Sequence, residues 1–412
     1  MRADRQPTQA EFVALIALMT SLVALSIDAM LPALPAIGAD LGVAEANRTQ
    51  QVITVFMVGL SIGQLLYGPV SDSTGRRPMV FGGFALFAVG CVLALVAQDF
   101  RTMLVGRFLQ GLGVAGPRSL AMALIRDLYA GREMARILST IMSVFILMPI
   151  LAPFLGQAIL ATAGWRSIFT AFLLLALGSA TWFALRQPET LPRDQRHLFS
   201  AAALGRSFLA VVRQQAAMGF TLCAGVSSGA FIGYLSSSQQ VFQDIYATGD
   251  RFAVYFGLVA ASIGAAALAN RRLVMRYGMF QLTRIALSAI AVLSVGFFVV
   301  TLLSGGIPPF AGFLAYLLVA FFFVGIVFGN INSLAMESLG HVAGVGAAVV
   351  ASLSLAIAVT LGGTIGQLLD GTIVPLVGGY AVLSLGSLPL LYWGERGRLA
   401  LREGVDPSAP VA

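Results

Sequence analysis

Long apolar runs separated by short polar segments fill almost the whole chain. Each run is about as long as the 20 or so apolar residues that a membrane-spanning helix needs. Charged residues, Pro or Gly bound the runs, and the pattern predicts twelve helices in two sets of six. The predicted helices are 11–36, 48–71, 78–97, 101–124, 137–160 and 165–186, then 214–241, 251–270, 279–303, 309–335, 344–369 and 372–394.

The longest polar stretch of the chain, 187–213, separates the two sets of apolar runs. The sequence therefore predicts an N-terminal six-helix bundle over 1–186, a linker over 187–213, a C-terminal six-helix bundle over 214–394 and a tail over 395–412. The predicted fold class is an all-α membrane protein with twelve transmembrane helices.

The composition excludes a soluble globular protein. Hydrophobic residues make up 58% of the chain and charged residues only 10%, and the mean hydropathy is +0.89. Soluble domains carry about 25% charged residues. The two cysteines, Cys91 and Cys223, lie singly inside apolar runs, so we expect neither a disulfide framework nor a metal site.

The positions of the basic residues predict the orientation in the membrane. All 25 are Arg, and the net charge is +7. With the N-terminus in the cytoplasm, nineteen Arg fall in segments on the cytoplasmic side and four on the opposite side. Because cytoplasmic loops are enriched in Arg and Lys, both termini and the linker are predicted to be cytoplasmic. Since these charges lie between spans, we expect a lipid bilayer rather than nucleic acid as the partner.

Three ionisable residues fall inside predicted spans, where each costs roughly 2.5–3.5 kcal/mol on insertion scales. They are Asp28 in the first span and Arg107 and Arg118 in the fourth. At about 1.5 Å per residue, Asp28 and Arg107 lie about 12 Å and about 9 Å from the outer ends of their helices. We therefore expect them to pair if the helices adjoin, either as a proton-coupling site or as an ion pair that only holds two helices together.

Arg107 and Arg118 are eleven residues apart, which returns a helix to nearly the same face after three turns. Gly111 and Ala115 lie between them on that face, and the stripe predicts a cavity wall rather than a surface that faces lipid. Two interpretations of Arg118 remain open. It contacts an anionic or carbonyl-bearing substrate, or its side chain extends to the cytoplasmic interface about 9–12 Å away.

The loop between the second and third runs carries a dense motif, YGPVSDSTGRRP at 67–78. It resembles the signature loop of the major facilitator superfamily, commonly written G-x-L-x-D-x-x-G-R-[RK]. Gly68 is expected to allow close approach of two helices, and Gly75 to make the turn. Asp72 is expected to cap a helix N-terminus, and the pair Arg76–Arg77 to face the cytoplasm.

Two further motifs agree with this resemblance. Residues 107–113, RFLQGLG, resemble the fourth-helix motif R-x-x-Q-G of the family, whose Arg is tied to proton coupling. The fifth span carries Pro149, Pro153 and Gly156 and resembles the antiporter motif of exporters, in which Pro and Gly kink the helix and permit tight packing. The alternative is an ordinary kinked helix.

Within the superfamily, the chain resembles the bicyclomycin-resistance (Bcr/CflA) group of drug:proton antiporters. The stretches that carry this likeness are 28–35, 126–128, 164–169 and 233–244. The resemblance implies a monomeric multi-pass protein of the bacterial inner membrane that exports amphipathic small molecules or drugs by alternating access. It also implies that a proton gradient rather than a cofactor drives the export, with Asp28 and Arg107 as the coupling residues.

A transporter of this kind needs a cavity lined by apolar and aromatic side chains with a few polar groups. The candidate lining residues are Asp28, Phe56, Arg118, Met148, Tyr234, Ser238 and Phe256. Plain helix packing also explains each apolar or hydroxyl-bearing member of this set. The fifth-helix motif favours export of drugs, and the alternative is a specific exporter of a sugar, amino acid or purine, or an uptake symporter of the same fold.

Other classes of protein fit the sequence less well. An intramembrane enzyme needs catalytic residues clustered within spans, but the two histidines, His197 and His341, fall in predicted loops. No ring or repeated filter sequence indicates a channel. The chain has no Lys and hence no Gly-Lys-Ser/Thr loop for nucleotide phosphates. We therefore expect a carrier without enzymatic activity.

Overall fold

The computed structural model describes residues 7–196, 200–339 and 343–403. Within these ranges the regular structure is helical, and twelve helices are long and apolar enough to cross a membrane. The predicted fold class, an all-α protein with twelve spans, is therefore confirmed. His197, His341 and residues 404–412 of the predicted tail lie outside the described ranges.

The described residues form two compact units, one within 1–200 and 250–257 and the other within 201–249 and 258–412. Six spans belong to the first unit. Their helices are α1 (Gln9–Asp28), α2 (Leu34–Asp40), α3 (Ala46–Thr49), α4 (Gln51–Thr74), α5 (Arg76–Val96), α6 (Phe100–Leu128), α7 (Gly131–Ala163) and α8 (Arg166–Arg186). The end of this unit that carries the turn between α4 and α5 is called the loop end below.

The second unit begins with a linker helix and contains the remaining spans. Its helices are α9 (Ala201–Arg213), α10 (Gln215–Gln239), α11 (Phe252–Tyr277), α12 (Met279–Leu303), α13 (Phe310–Glu337), α14 (Ala343–Gln367) and α15 (Val374–Arg402). The first residues of α11 belong to the first unit. The predicted linker, 187–213, is thus divided: its first part lies with the first unit, and α9 lies with the second.

The first span is not one continuous helix, although its apolar run predicts one. It ends at Asp28, passes through a 3-10 turn over Leu31–Ala33 and resumes as α2. Pro32 causes the break, because it has no N–H to donate to the carbonyl of Asp28, four residues earlier. The Met30 N–H bonds to the Ile27 carbonyl, which leaves the Ser26 carbonyl without its usual helical donor.

The twelfth span is longer than its apolar run. Helix α15 continues to Arg402, past the predicted end at 394. Ion pairs explain the extra turns: Arg398 binds Glu395 at 2.7 Å, and Arg402 binds Glu337 of α13 at 2.7 Å. Charged side chains one turn apart or on a neighbouring helix stabilise a helix end that apolar burial does not cover.

Glycine pairs bring the helices of the first unit into backbone contact. A Cβ atom at Gly90 of α5 would lie 2.6 Å from the Gly106 carbonyl oxygen of α6. On another face of α6, a Cβ at Gly111 would overlap the Phe56 carbonyl of α4. Helices in membranes associate through such small-residue contacts, because apolar burial alone gives them little preference over lipid. Helix α6 is therefore fixed against both α4 and α5.

Candidate functional site

Asp28 is a buried carboxyl at the point where α1 breaks. It is 4% exposed, and among the described residues it has neither a hydrogen bond nor an ion pair for its side chain. Pro32 determines this position, because it cannot continue the helix, and α1 therefore ends at Asp28. An ionisable side chain without a partner inside a span marks a proton or substrate pathway.

Arg107 is completely buried and bonds to neutral oxygen atoms only. Its guanidinium donates to the Ser26 carbonyl of α1 at 2.9 Å, to the Val52 carbonyl of α4 at 3.0 Å and to the Gln110 side-chain oxygen at 2.6 Å. The ring of Phe56 covers its face, with the guanidinium carbon 4.4 Å from the ring centre. Arg107 therefore ties α1, α4 and α6 together.

The predicted ion pair between Asp28 and Arg107 is wrong, although both residues lie in neighbouring helices. The helix break frees the Ser26 carbonyl, and the Arg107 guanidinium takes that acceptor rather than the carboxylate two residues further along α1. The depth count along the helices could not predict this, because it gives no rotation about their axes. As a result, the contacts of Arg107 do not depend on the charge of Asp28.

Two predictions about the walls of a cavity are also wrong. Phe56 is fully buried against Arg107 and is not open to a ligand. Gly111 and Ala115 do not line a cavity, because both pack on α4: Gly111 on the Phe56 carbonyl and Ala115 on Gly63. The stripe of small residues between the two arginines is a helix contact surface.

Arg118 is half-buried on α6, and its surroundings differ from those of Arg107. Its guanidinium carbon lies 5.9 Å from the ring centre of Phe145 on α7. None of the hydrogen bonds and ion pairs among the described residues involves it. Met148, another predicted lining residue, is half-buried one turn along α7 from Phe145. Arg118 and Met148 thus lie on a partly open wall of the first unit.

The candidates from the second set of helices are buried among neighbouring side chains. Tyr234 of α10 packs on Phe321 of α13 with ring centres 4.6 Å apart. The hydroxyl of Ser238 donates to the Leu235 carbonyl at 3.1 Å, and the residue is fully buried. Ser238 therefore does not present a hydroxyl to a ligand here, and the prediction that it does is wrong. Phe256, 3% exposed, has its ring centre 5.7 Å from that of Phe252.

The signature loop folds its first arginine inward. Gly75 makes the turn as expected, with a φ of 103° that favours glycine. Arg76 is not exposed to the cytoplasm as predicted: it is 3% exposed and binds Asp72 at 2.6 Å and Asp127 of α6 at 3.1 Å. Asp72 therefore pairs with a side chain instead of capping a helix. Arg77 is partly exposed and donates to the Ala184 carbonyl of α8.

Gly68 does not have the role that its place in the motif predicts. A Cβ atom added there would meet no atom within 4 Å, so close helix approach does not require glycine at this position.

A segment of the predicted linker, residues 187–196, lies across the loop end; we call it the linker strap. Its Glu189 accepts from the backbone N–H groups of Arg76 and Arg77 at 2.9 Å and 3.1 Å and thereby caps α5. Thr190 donates to the same Asp127 oxygen that Arg76 contacts. No local sequence pattern predicts this cap, because Glu189 lies 113 residues after the amide that it binds.

The fifth-span motif lies beside the break in the first span. Pro149 and Pro153 are inside α7, which is continuous from Gly131 to Ala163. A Cβ atom at Gly156 would overlap the carbonyl of Ala29, the residue that follows Asp28. Gly156 thus permits the tight packing that the motif predicts, at the backbone next to the buried carboxyl.

Comparison with known proteins agrees with this architecture. The family model described as Major Facilitator Superfamily matches residues 16–366. The chain is 31% identical over 354 residues to the uncharacterized MFS-type transporter YdgK of Bacillus subtilis, covering 84% of this chain and 86% of that protein. It is 30% identical over 357 residues to the bicyclomycin resistance protein homolog of Haemophilus influenzae, with the same coverage of both chains.

A third relative matches part of the chain. The multidrug resistance protein MdtL of Escherichia coli is 34% identical over 191 residues, which are 45% of this chain and 49% of that protein.

Two solved structures share the fold at low sequence identity. The human organic anion transporter MFSD10 has a TM-score of 0.71 at 20% identity and covers 94% of this chain and 100% of its own. A D-xylose-proton symporter has a TM-score of 0.75 at 15% identity, with 92% and 97% covered. The twelve spans, the signature loop and the family match over most of the sequence lead to one assignment. The chain is a multi-pass membrane protein that belongs to the major facilitator superfamily.

Proposed function

We propose that this chain is a proton-coupled antiporter that exports amphipathic small molecules, including drugs, by alternating access. The relatives named for bicyclomycin and multidrug resistance support a drug as cargo. The single observation that carries the coupling is Asp28, a buried carboxyl without a side-chain partner among the described residues, in a span broken beside it. In this proposal Asp28 binds and releases the proton.

Arg107 has a positioning role in this proposal. It holds the Ser26 carbonyl at the end of α1 and the Val52 carbonyl of α4, so it fixes the helix turn that carries Asp28. Because it bonds to neutral oxygens, this brace remains when Asp28 gains or loses a proton. The residue that changes charge is then separate from the residue that preserves the geometry.

Gly156 supports an export role through its contact beside the coupling carboxyl. Its lack of a side chain lets α7 touch the Ala29 backbone, so that a movement of α7 is transmitted to the break in α1.

The coupling is tested with Asp28→Asn in proteoliposomes. The expected result is that a pH gradient no longer drives export of a drug that the wild type carries, and that drug binding no longer releases a proton from the purified protein. Asp99→Asn is the matched control, because Asp99 is an exposed helix cap and Asn caps nearly as well. Full gradient-driven export by Asp28→Asn would refute the role of Asp28.

The cargo and the orientation need separate tests. We propose a bacterial inner membrane location with both termini and the linker in the cytoplasm, from the distribution of Arg. Reporter fusions within 187–213 should be active only in the cytoplasm, and periplasmic activity there would refute this orientation. Cells that express the chain should resist unrelated drugs, and a protonophore should abolish the resistance. Resistance or uptake confined to one metabolite would instead identify a specific transporter.

A further inference from the structure

We propose that Arg118 recognises an acidic group of the substrate, which makes amphipathic molecules with a carboxylate or similar oxyanion a substrate class of this chain. The inference rests on the proposed export function and adds to it a site for one chemical group. It concerns the first unit only, where Arg118 lies on α6 against α7.

The two arginines inside the fourth span differ in the partners of their guanidinium groups. Arg107 has three oxygen acceptors and is completely enclosed. Arg118 has five N–H donors, yet none of the hydrogen bonds and ion pairs among the described residues uses them; its guanidinium lies over the ring face of Phe145. A cation inside a span is costly unless an anion, a polar group or water meets it. Arg118 thus keeps its donors available for a ligand.

The side chain of Arg118 does not extend to the nearby membrane interface. Side chains of a helix lean toward its N-terminus, and the N-terminus of α6 lies at the end opposite the loop end. Helices α6 and α7 are joined by two residues, 129 and 130, so their loop-end termini share one depth. Arg118 is about 15 Å from that end of α6, and its ring partner Phe145 is about 21 Å from the start of α7. The guanidinium is therefore directed into the span.

The Arg118 site lies apart from the coupling carboxyl of Asp28. Helix α7 contacts both places, at Phe145 beside Arg118 and at Gly156 beside Ala29. These positions are eleven residues apart, or about 16 Å along the helix. Asp28 is thus too distant to neutralise Arg118. The acidic group of a bound molecule would lie toward the loop end, and its apolar body would contact Phe145 and Met148.

The chemistry of Arg118 favours a carboxylate over other groups. A planar guanidinium binds two oxygen atoms of one carboxylate at once, and such charge-assisted pairs are about twice as strong as neutral hydrogen bonds. A phosphate of a lipid head group offers the same oxyanion chemistry, and a comparison of substrates distinguishes the two sources. Loss of a lipid contact would affect all substrates alike, whereas loss of a substrate contact would affect only acidic ones.

The test uses two dyes that differ in one group, the carboxylate rhodamine 110 and its methyl ester rhodamine 123. Arg118→Gln should reduce export of the carboxylate by about tenfold or more relative to the ester, since a hydrogen-bonded charge is lost for one dye only. Arg118→Lys should have an intermediate effect, because Lys keeps the charge without the two-pronged geometry. Arg101→Gln, an exposed change at the start of the same helix, controls for the lost charge.

Each outcome decides the inference separately from the proposed function. Equal loss of both dyes in Arg118→Gln, or export of the ester alone by the wild type, would overturn the role of Arg118 while export itself stands. Export of neither dye, nor of any drug tested, would instead count against the proposed function. In that case, fluorescence anisotropy of rhodamine 110 with the purified chain still decides the inference: equal binding by wild type and Arg118→Gln refutes it.

Discussion

Glu189 of the linker strap should stabilise the first turn of α5, and its removal gives a sharp test of the loop-end structure. The N-cap position of α5 is Gly75, which has no side chain to accept a hydrogen bond. The carboxylate of Glu189 supplies both acceptors, at 2.9 Å from the amide of Arg76 and 3.1 Å from that of Arg77. Glu189→Ala therefore leaves two amides of the first turn without a partner.

The size of the effect follows from known caps. Loss of an N-cap side chain costs about 0.5–2 kcal/mol, and the charge of a carboxylate at a helix N-terminus places this case in the upper part of that range. One to two kcal/mol corresponds to an about 5- to 30-fold larger equilibrium population of the open turn. Glu189→Gln should have a smaller effect, because its amide oxygen still accepts a hydrogen bond but carries no charge.

Hydrogen–deuterium exchange of the purified chain in nanodiscs measures this directly. The peptide that contains Arg76 and Arg77 should exchange about 5- to 30-fold faster in Glu189→Ala, while peptides of α10 remain unchanged. Asp194→Ala is the matched control, since Asp194 lies exposed on the same strap. Equal protection of Arg76 and Arg77 in wild type and Glu189→Ala would refute the idea that the strap caps this helix.

Three further changes have definite expected outcomes. Gly156→Val should abolish the monodisperse folded peak in size-exclusion chromatography, because its side chain would overlap the Ala29 carbonyl; a normal yield would contradict the packing. Arg76→Gln should lower stability by about 1.5–3 kcal/mol in thermal unfolding, because Asp72 and Asp127 lose their charge-assisted hydrogen bonds to Arg76, and an unchanged midpoint would refute this. Hydrogen bonds from the first turn of α6 lower the pKa of the Asp99 carboxyl in the folded protein. The contribution of Asp99 to the free energy of unfolding is therefore complete above the pKa that this carboxyl has in the unfolded chain, and it is lost as the pH falls through the pKa of the folded protein. Asp99→Asn should therefore weaken the acid dependence of the unfolding midpoint below about pH 4, and an unaltered pH profile would exclude the contribution.

Hydropathy was sufficient to predict the number and order of the spans, because burial in lipid depends on local composition. It predicted the ends of the spans less well. Pro32 breaks the first span inside an apolar run, and ion pairs of Arg398 and Arg402 extend the last one beyond its run. Both deviations come from hydrogen bonds and charges, which a window of mean hydropathy does not represent.

For the candidate site, too, the sequence predicted which residues matter but not which residues they contact. The sequence identified Asp28, Arg107 and Arg118 because an ionisable residue in a span is conspicuous by itself. It did not predict their partners, since these depend on helix rotation and on a carbonyl freed by the break. Glu189 was missed for a related reason: no local pattern distinguishes a carboxylate that will bind an amide 113 residues earlier.

The long stretch of chain between Arg76 and Glu189 affects the order in which the first unit is completed during synthesis. The first turn of α5 is made 113 residues before the carboxylate that caps it. At about 5–20 residues per second, the ribosome synthesises this interval in roughly 6–23 s. The third span thus enters the membrane with its leading amides uncapped, and the loop end of the first unit is completed only when the residues after the sixth span leave the ribosome. Chains truncated before Glu189 would keep all six spans of this unit and still lack the carboxylate that caps α5.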